Sequence, residues 1–330
     1  MITTDAPLRM ETHNEMDELL KNVPDVSNVG NIILKILSNG IVPNHVAVIL
    51  DGNRRFARER GLPSHQGHKE GAKAMAQAGY LLRRLGTKEL TMYILSVHNL
   101  KNRTPEELNN LFNAFRHAAD YVYERHLEEM IDSKIFVRVI GDLSLLPPDI
   151  AARAAKLELL TRRDDGDYML KLNFAVGYGS RHNLARITGI LKQAVDKGII
   201  EAKDIDHDVV TVALDAEECP VIDLLLRTSG ERRLSDFMLW QTTFSLYHFC
   251  TKNLPNFGFW SFVYMILNYQ IERPIIQSYA TKAALKPVEK GKLLSAVHKF
   301  VDELRTDTLL KFSGMKREEI LQLKLSSRIL

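Results

Sequence analysis

Four short stretches of this 330-residue chain mix glycine with charged and hydroxyl-bearing residues in a way that suits phosphate. They are Asp51-Gly52-Asn53-Arg54-Arg55-Phe56, Ser96-Val97-His98-Asn99, Gly177-Tyr178-Gly179-Ser180-Arg181, and Thr228-Ser229-Gly230-Glu231-Arg232-Arg233-Leu234-Ser235. The guanidinium groups of Arg54, Arg55, Arg181, Arg227, Arg232 and Arg233 present planar donor forks that match phosphate oxygens. Gly52, Gly179 and Gly230 let backbone amides come close to an anion. Asp51 is the single acid of the first stretch. An acid among arginines reads as a Mg2+ ligand, because this ion needs few carboxylates when phosphates supply the other oxygens. The alternative reading of Asp51 is a helix N-cap.

Other chemistries lack their residues. There is no G-x-x-x-x-G-K-[ST] loop, and the GYGSRH turn lacks the third glycine of a dinucleotide fingerprint. His65, His68, Cys219 and Cys250 do not have zinc spacing. No G-x-S-x-G or Cys/His nucleophile signature occurs. Asp164-Asp165-Gly166-Asp167 misses the DDxxD pattern of trans-type prenyl synthases.

Each phosphate-suited stretch follows a short apolar run. HVAVIL (45–50), ELTMYIL (89–95), IFVRVI (135–140), MLKLNFAV (169–176) and VIDLLLR (221–227) read as strands by length and β-branched content, with SLYHF (245–249) a weaker sixth. Helical segments lie between them, which predicts a parallel sheet with helices on both faces. Ligands of such sheets bind beyond the carboxyl ends of the strands, so the four stretches should converge. One helix start is legible: Thr104-Pro105-Glu106-Glu107 forms a capping box with proline at the first helical position. Leu108, Leu111, Phe112, Phe115, Ala119 and Val122 then recur at helical spacing, as a core stripe or as the wall of a hydrophobic groove. Phe237 and Trp240 are expected on an apolar helix face, in the core.

Composition bounds the rest. Hydrophobic content of 45% and charged content of 26% are globular, and a net charge of +3 is too weak to imply nucleic acid. Two cysteines exclude a disulfide framework and suit a reducing compartment. No run of about 18 apolar residues reads as a transmembrane helix, and the N-terminal residues lack the apolar core of a signal peptide. Val29–Ile41 is apolar but short, either a helix packed on the domain or one lying on a membrane surface. From 276 to 330, eleven basic residues meet six acidic ones, which reads as a helical appendage outside the sheet. The expected division is thus an N-terminal segment 1–42, a catalytic domain 43–275 and a basic tail 276–330.

HVAVILDGNRRFARERG, GHKEGA and LLRTSGERRLSDFMLWQ together resemble the cis-prenyltransferases, the undecaprenyl and dehydrodolichyl diphosphate synthases. The resemblance runs from about Pro43 to Tyr269, and the DGNRR and SDFMLWQ forms resemble the eukaryotic dehydrodolichyl branch. It implies an α/β fold with a six-stranded, mostly parallel sheet flanked by helices and a hydrophobic tunnel. It also implies elongation of an allylic diphosphate, usually farnesyl diphosphate, by isopentenyl diphosphate with Z double bonds, toward dolichol and protein glycosylation. By resemblance, Asp51 holds Mg2+. Gly52, Asn53, Arg54, Arg55 and His68 contact the allylic diphosphate, and Phe56 is a further substrate-binding residue. Arg227, Arg233 and Ser235 bind isopentenyl diphosphate, Ser96 is a further substrate-binding residue, and Asn99 lies near the proton removed.

The chain departs from the family pattern at Ser64, where arginine is usual. His98 and Leu100 replace a glutamate and an aromatic, and the arginine that follows is displaced by one to Arg103. The R-x-G that completes a neighbouring site in bacterial homodimers is absent before Ser327-Arg328-Ile329-Leu330. These departures point to a dimer, either a homodimer or a heteromer with a subunit that supplies R-x-G. Peripheral contact with the cytoplasmic face of the endoplasmic reticulum is expected for so hydrophobic a product. The competing readings are a non-catalytic subunit of such a complex and a phosphate-ester hydrolase. The latter would want a nucleophile or a second metal carboxylate.

Overall fold

The computed structural model describes residues 27–163, 165–283 and 291–326. In chain order the elements are α1 (Asn28–Leu37), β1 (His45–Ile49), α2 (Asn53–Glu59), α3 (Ser64–Leu85), β2 (Glu89–Ser96), α4 (Val97–Asn102) and α5 (Pro105–Tyr121). A π turn over Val122–His126 leads into α6 (Leu127–Asp132), then β3 (Ile135–Ile140), α7 (Pro148–Thr161), β4 (Leu170–Tyr178), α8 (Ser180–Asp196) and α9 (His207–Glu217). β5 (Leu224–Arg227), β6 (Leu246–Phe249), α10 (Phe259–Ala283), α11 (Gly291–Ser313) and α12 (Arg317–Ser326) complete the chain.

The six strands form one sheet in the order β3-β4-β2-β1-β5-β6, and every pairing is parallel. Continuous apolar runs make this possible, because a parallel sheet is covered on both faces. Alternate residues serve opposite sides. Val46, Val48, Leu90, Met92, Leu224 and Leu226 pack against α1, α3 and α10. Ala47, Ile49, Tyr93, Ala175 and Leu225 pack beneath Phe237 and Met238. The weakest expected strand, SLYHF, is real and forms one of the two edges, over Leu246–Phe249.

The capping box of α5 is present. Thr104 Oγ1 accepts from the Glu107 amide at 3.2 Å, and Glu107 Oε2 accepts from the Thr104 amide at 3.3 Å. Of its apolar stripe, Phe112 and Ala119 are buried, whereas Leu108, Leu111, Phe115 and Val122 are half-buried. Leu108, Leu111, Phe115, Ile94 and Phe174 all pack against one buried cluster, and Ile94 and Phe174 also border the cluster beneath α3. Ile94 and Phe174 sit on central strands yet are only half-buried. The cover between α3 and α5 is therefore incomplete along an apolar strip.

Two expectations need correction. First, the segment from Thr228 to Ser245 is built of turns, not a helix. Phe237 is fully buried there, but Trp240 is half-buried and donates its Nε1–H to Thr211 Oγ1 at 3.0 Å. Second, the basic tail is helical but not detached. α10 runs across the 275/276 boundary, and α11 buries Val297, Phe300 and Val301 against α8 and α9. Its Arg305 is buried, donating to both Glu158 oxygens at 2.7 and 2.6 Å and to the Glu217 carbonyl at 2.6 Å. As for α1, Leu34 and Leu37 are buried in the core while Val29, Ile32, Ile36 and the following Ile41 are exposed. The first 26 residues, Asp164 of the acidic run, and the terminal Ser327–Leu330 with Arg328 lie outside the described residues.

Candidate active site

The chain enters the sheet at β1, adds β2 to one side and later β5 to the other, so the carboxyl ends of β1 and β5 flank a topological switch point. Ile49 of β1 pairs with Arg227 of β5, which brings Asp51 and Arg227 side by side across that crevice. Arg227 Nη2 donates to Asp51 Oδ2 at 2.8 Å. The other carboxylate oxygen, Oδ1, accepts from the Gly52 amide at 2.8 Å. Asp51 is not the N-cap of α2, because Gly52 occupies that place and no side chain caps the helix. Thr228 fixes the junction, donating its hydroxyl to the Asp51 carbonyl at 2.7 Å and accepting from the Asp51 amide at 3.2 Å.

Gly52 must be glycine for two reasons. Its φ of +98° lies in the left-handed region, and a Cβ there would fall 2.6 Å from Asn253 Oδ1. The glycines of GHKEGA serve packing. A Cβ on Gly67 would meet the Asn53 carbonyl at 2.2 Å, and one on Gly71 would meet Asn53 Oδ1 at 2.2 Å. Small residues at these positions let α3 lie directly on the start of α2 and place His68 next to Asn53.

On the β5 side, Arg227 is almost wholly buried, with 4% of its side chain exposed. Its Nη1 donates to Ser235 Oγ at 2.8 Å and to the Arg233 carbonyl. Arg55 donates to the Ser229 carbonyl and hydroxyl at 2.7 and 2.6 Å and pairs with Glu231 at 3.3 Å. Arg233 also pairs with Glu231. Arg55 and Arg233 therefore share one carboxylate.

On the α3 side, Arg54 pairs with Glu107 at 3.0 Å. Asn53 Nδ2 approaches His68 Nδ1 at 3.4 Å. Burial first, then the charges of Arg103 and Arg54, bring the His68 pKa down to about 4. The ring keeps an exposed edge, which softens the burial contribution, but the two guanidinium groups preserve the direction. His68 is accordingly neutral near pH 7, able to donate one N–H to an anion and accept at its other nitrogen. Arg103, displaced in sequence, still reaches this cluster. Its own pKa is lowered by burial and then by the Arg54 charge.

Ser96 ends β2 and caps α4, its Oγ accepting from the Asn99 amide at 2.9 Å. Asn99 is half-buried in the first turn of that helix. Two expected phosphate groups stand apart: Arg181 is largely exposed and pairs with Asp236 at 3.1 Å, and Arg232 is exposed. Phe56 is buried in α2, with the Arg60 guanidinium 3.9 Å above its ring. It faces a cavity of about 330 Å³ between α2 and α3, lined also by Gln66 and Lys69. Only three of the four turns lead into helices; the one after β5 continues as turns. Sequence reading gave Glu107 only a capping role and missed its pairing with Arg54, the pairing of Glu231 with Arg55 and Arg233, and Asn253, which accepts from Ser229 Oγ at 3.1 Å and donates to Glu59 at 3.1 Å. Nothing in their spacing marks them. Among the described residues, no cluster of three or more His, Cys, Asp or Glu side chains could hold a metal by itself.

A cationic crevice at the switch point of an open parallel sheet defines a phosphate-binding α/β protein. The chain belongs to the prenyltransferase family: the family model described as undecaprenyl diphosphate synthase matches residues 49–274. It is 32% identical over 261 residues to the dehydrodolichyl diphosphate synthase complex subunit of Mus musculus, covering 78% of this chain and 77% of that protein. It is 35% identical over 231 residues to the isoprenyl transferase of Bacillus subtilis, covering 70% of this chain and 86% of that one. Among solved structures it is similar to lavandulyl diphosphate synthase from Lavandula x intermedia in complex with dimethylallyl diphosphate. That match has a TM-score of 0.60 and 30% identity, covering 69% of this chain and 95% of the other.

Proposed function

We propose that the chain is a chain-elongating cis-prenyltransferase that condenses isopentenyl diphosphate onto an allylic diphosphate, farnesyl diphosphate, to build a long polyprenyl diphosphate of the dehydrodolichyl type. The observation that carries this reading is the Asp51–Arg227 pair across the β1/β5 crevice, with separate cationic groups on either side of it. Two diphosphates need two such places. Gly52, Asn53, Arg54 and His68, with Arg55 behind them, take the allylic diphosphate, whereas Arg227, Arg233 and Ser235 take isopentenyl diphosphate. The half-buried apolar strip of Ile94, Phe174, Leu108, Leu111 and Phe115 gives the growing chain a surface away from water.

Asp51 fits a Mg2+ ligand by the chemistry of its donors. It is a single hard carboxylate, about one-third exposed, with each oxygen holding only one hydrogen bond. Such a ligand suits an ion whose remaining shell comes from substrate phosphates. When bound, the ion would neutralise charge developing on the leaving diphosphate. Arg54 and Arg55 oppose the same charge, and neutral His68 donates a hydrogen bond to it. The Asn99 carboxamide, held at the start of α4, lies by the proton lost from isopentenyl diphosphate. Incubating the purified chain with farnesyl diphosphate, labelled isopentenyl diphosphate and Mg2+, then sizing the products, tests the reading; absence of any elongated product under all conditions overturns it.

The division of the site has its own test. Arg227→Ala is expected to raise mainly the KM for isopentenyl diphosphate, about 10- to 100-fold for loss of a charge-assisted contact. His68→Ala is expected to raise mainly the KM for the allylic substrate. Steady-state kinetics with each substrate varied separately checks this, and impairment of one shared substrate by both variants contradicts it.

Partnership and membrane contact belong to the same proposal. Along α10, Trp260, Tyr264, Leu267, Ile271 and Ile275 are all exposed at helical spacing, next to exposed Tyr247 on the open-edge strand β6. A continuous apolar stripe of this kind favours a second subunit. That subunit, a second copy or a different chain, is where an R-x-G would come from. Exposed Val29, Ile32, Ile36 and Ile41 favour peripheral docking on the endoplasmic reticulum membrane. No helix among the described residues is long and apolar enough to cross a membrane. Activity of the isolated chain is therefore expected to be low and to rise sharply with a partner subunit or lipid vesicles. Full activity in lipid-free, detergent-free buffer would contradict both parts.

A further inference from the structure

The turn segment after β5 holds its backbone in conformations that most residues avoid. Ser229, Ser235, Asp236 and Met238 have φ of +75°, +53°, +62° and +47°, and none is glycine. Such residues cost about 1–3 kcal/mol each and persist only where surrounding contacts over-determine them. The contacts come from several elements. The Ser180 amide donates to the Asp236 carbonyl at 2.7 Å, and Arg227 grips Ser235 Oγ at 2.8 Å from within β5.

From beneath, the loop rests on one residue of β2. The Tyr93 ring stacks on Phe237 with centroids 4.3 Å apart and planes 14° off parallel, and meets Tyr178 edge-on at 6.0 Å. This stack points the Tyr93 hydroxyl upward, 3.2 Å from the Ser235 carbonyl and 3.3 Å from the Tyr178 carbonyl. Both carbonyls are acceptors only, so the hydroxyl donates to them, while its oxygen also meets the Ser96 side chain. Its one proton is shared between the ends of β4 and the β5 loop. Burial pushes the phenol pKa upward, which keeps that proton in place.

We propose that Tyr93 is a positioning residue for the diphosphate of isopentenyl diphosphate: its hydroxyl sets the height of Ser235, and through Ser235 the aim of the Arg227 guanidinium. This rests on the assignment of Arg227 and Ser235 to that substrate. The physical reason is that the other contacts hold neighbouring groups of the loop, whereas the Tyr93 hydroxyl holds the Ser235 carbonyl itself. A left-handed Ser235 relaxes toward the extended or right-handed region unless its carbonyl is held, and relaxation withdraws Oγ from Arg227 Nη1. Arg227 is nearly buried and cannot follow the loop outward, so the two ligands of one phosphate group would separate.

Tyr93→Phe removes the hydroxyl and keeps the ring stack. Calorimetric titration of the full chain with isopentenyl diphosphate is expected to show a Kd about five- to tenfold higher, in line with loss of one hydrogen bond. The Kd for farnesyl diphosphate should stay within twofold. Because Tyr93 acts through the Ser235–Arg227 pair, adding Tyr93→Phe to Arg227→Ala should cost less than a further twofold. A lowered thermal midpoint with both affinities unchanged would overturn the proposal and leave Tyr93 a purely structural residue. Equal weakening of both substrates would overturn it as well. If Arg227→Ala alone leaves isopentenyl diphosphate binding unchanged, the assignment of the site is what fails, and the two failures are told apart.

Discussion

Asp51→Ala is expected to lower kcat by two to three orders of magnitude at least, while the chain remains folded. Two losses combine. A Mg2+ ligand disappears, and a preorganised charge-stabilising group of this kind contributes about 3–4 kcal/mol to the transition state. Arg227 also loses its counter-charge, since Asp51 Oδ2 is its acidic partner at 2.8 Å. A freed Arg227 binds isopentenyl diphosphate no worse, so the fall should lie in kcat and not in that KM. Asp51→Asn separates the contributions: it keeps an acceptor for the Gly52 amide but removes the charge, and should fall nearly as far. Asp51 is about one-third exposed, which limits the cost to stability. Single-turnover kinetics with a thermal melt on each variant measures both effects. Turnover within tenfold of the parent would sink the metal assignment.

The second large effect concerns stability. Arg305→Ala is expected to destabilise the fold by about 3 kcal/mol at pH 7, because breaking a buried ion pair leaves an uncompensated charge. Burial alone would raise the Glu158 carboxyl. The Arg305 charge and its hydrogen bonds outweigh that, with help from Arg138 and Arg162, and hold Glu158 at about 2. The two remaining arginines keep the loss toward the lower end of the usual range for buried pairs. The pH dependence follows from the sign of the shift. A depressed carboxyl contributes stability above its unfolded pKa and loses it as pH falls through the folded value. The gap between parent and Arg305→Ala should therefore be full near neutrality and narrow between about pH 4.5 and about pH 2. Arg317→Ala, which breaks an exposed pair with Asp307, should change stability by under about 1 kcal/mol. Denaturant titrations at a series of pH values check this. If Arg305→Ala matches the parent, α11 is an appendage after all and not part of the core.

The two predictions touch the parts of the molecule that the linear chain reveals best and least. The strands and the α5 capping box are legible because their causes are local. Apolar runs such as HVAVIL decide strand and burial within a few residues, and Thr104 needs only Glu107 three positions on. The convergence of the phosphate-suited turns is legible as well, since every parallel strand delivers its carboxyl end to the same edge. Asp51, Arg54, Arg55 and Arg227 are singled out by type and place, and Ser235 by resemblance. Partnership is another matter. Asp51 meets Arg227 across 176 residues, and Arg305 meets Glu158 across 147. No local preference encodes such distances. Strand order sets the first, because β5 is laid beside β1 only when the sheet reverses direction there. Helix packing sets the second, because burial of Phe300 and Val301 carries Arg305 inward with them. The same reason hid the pairing of Glu107 with Arg54, that of Glu231 with Arg55, and the contacts of the Tyr93 hydroxyl. Residue type and spacing determined which chemistry this chain can perform; only the tertiary structure decided which charges oppose each other, since electrostatic pairing depends on separation in space.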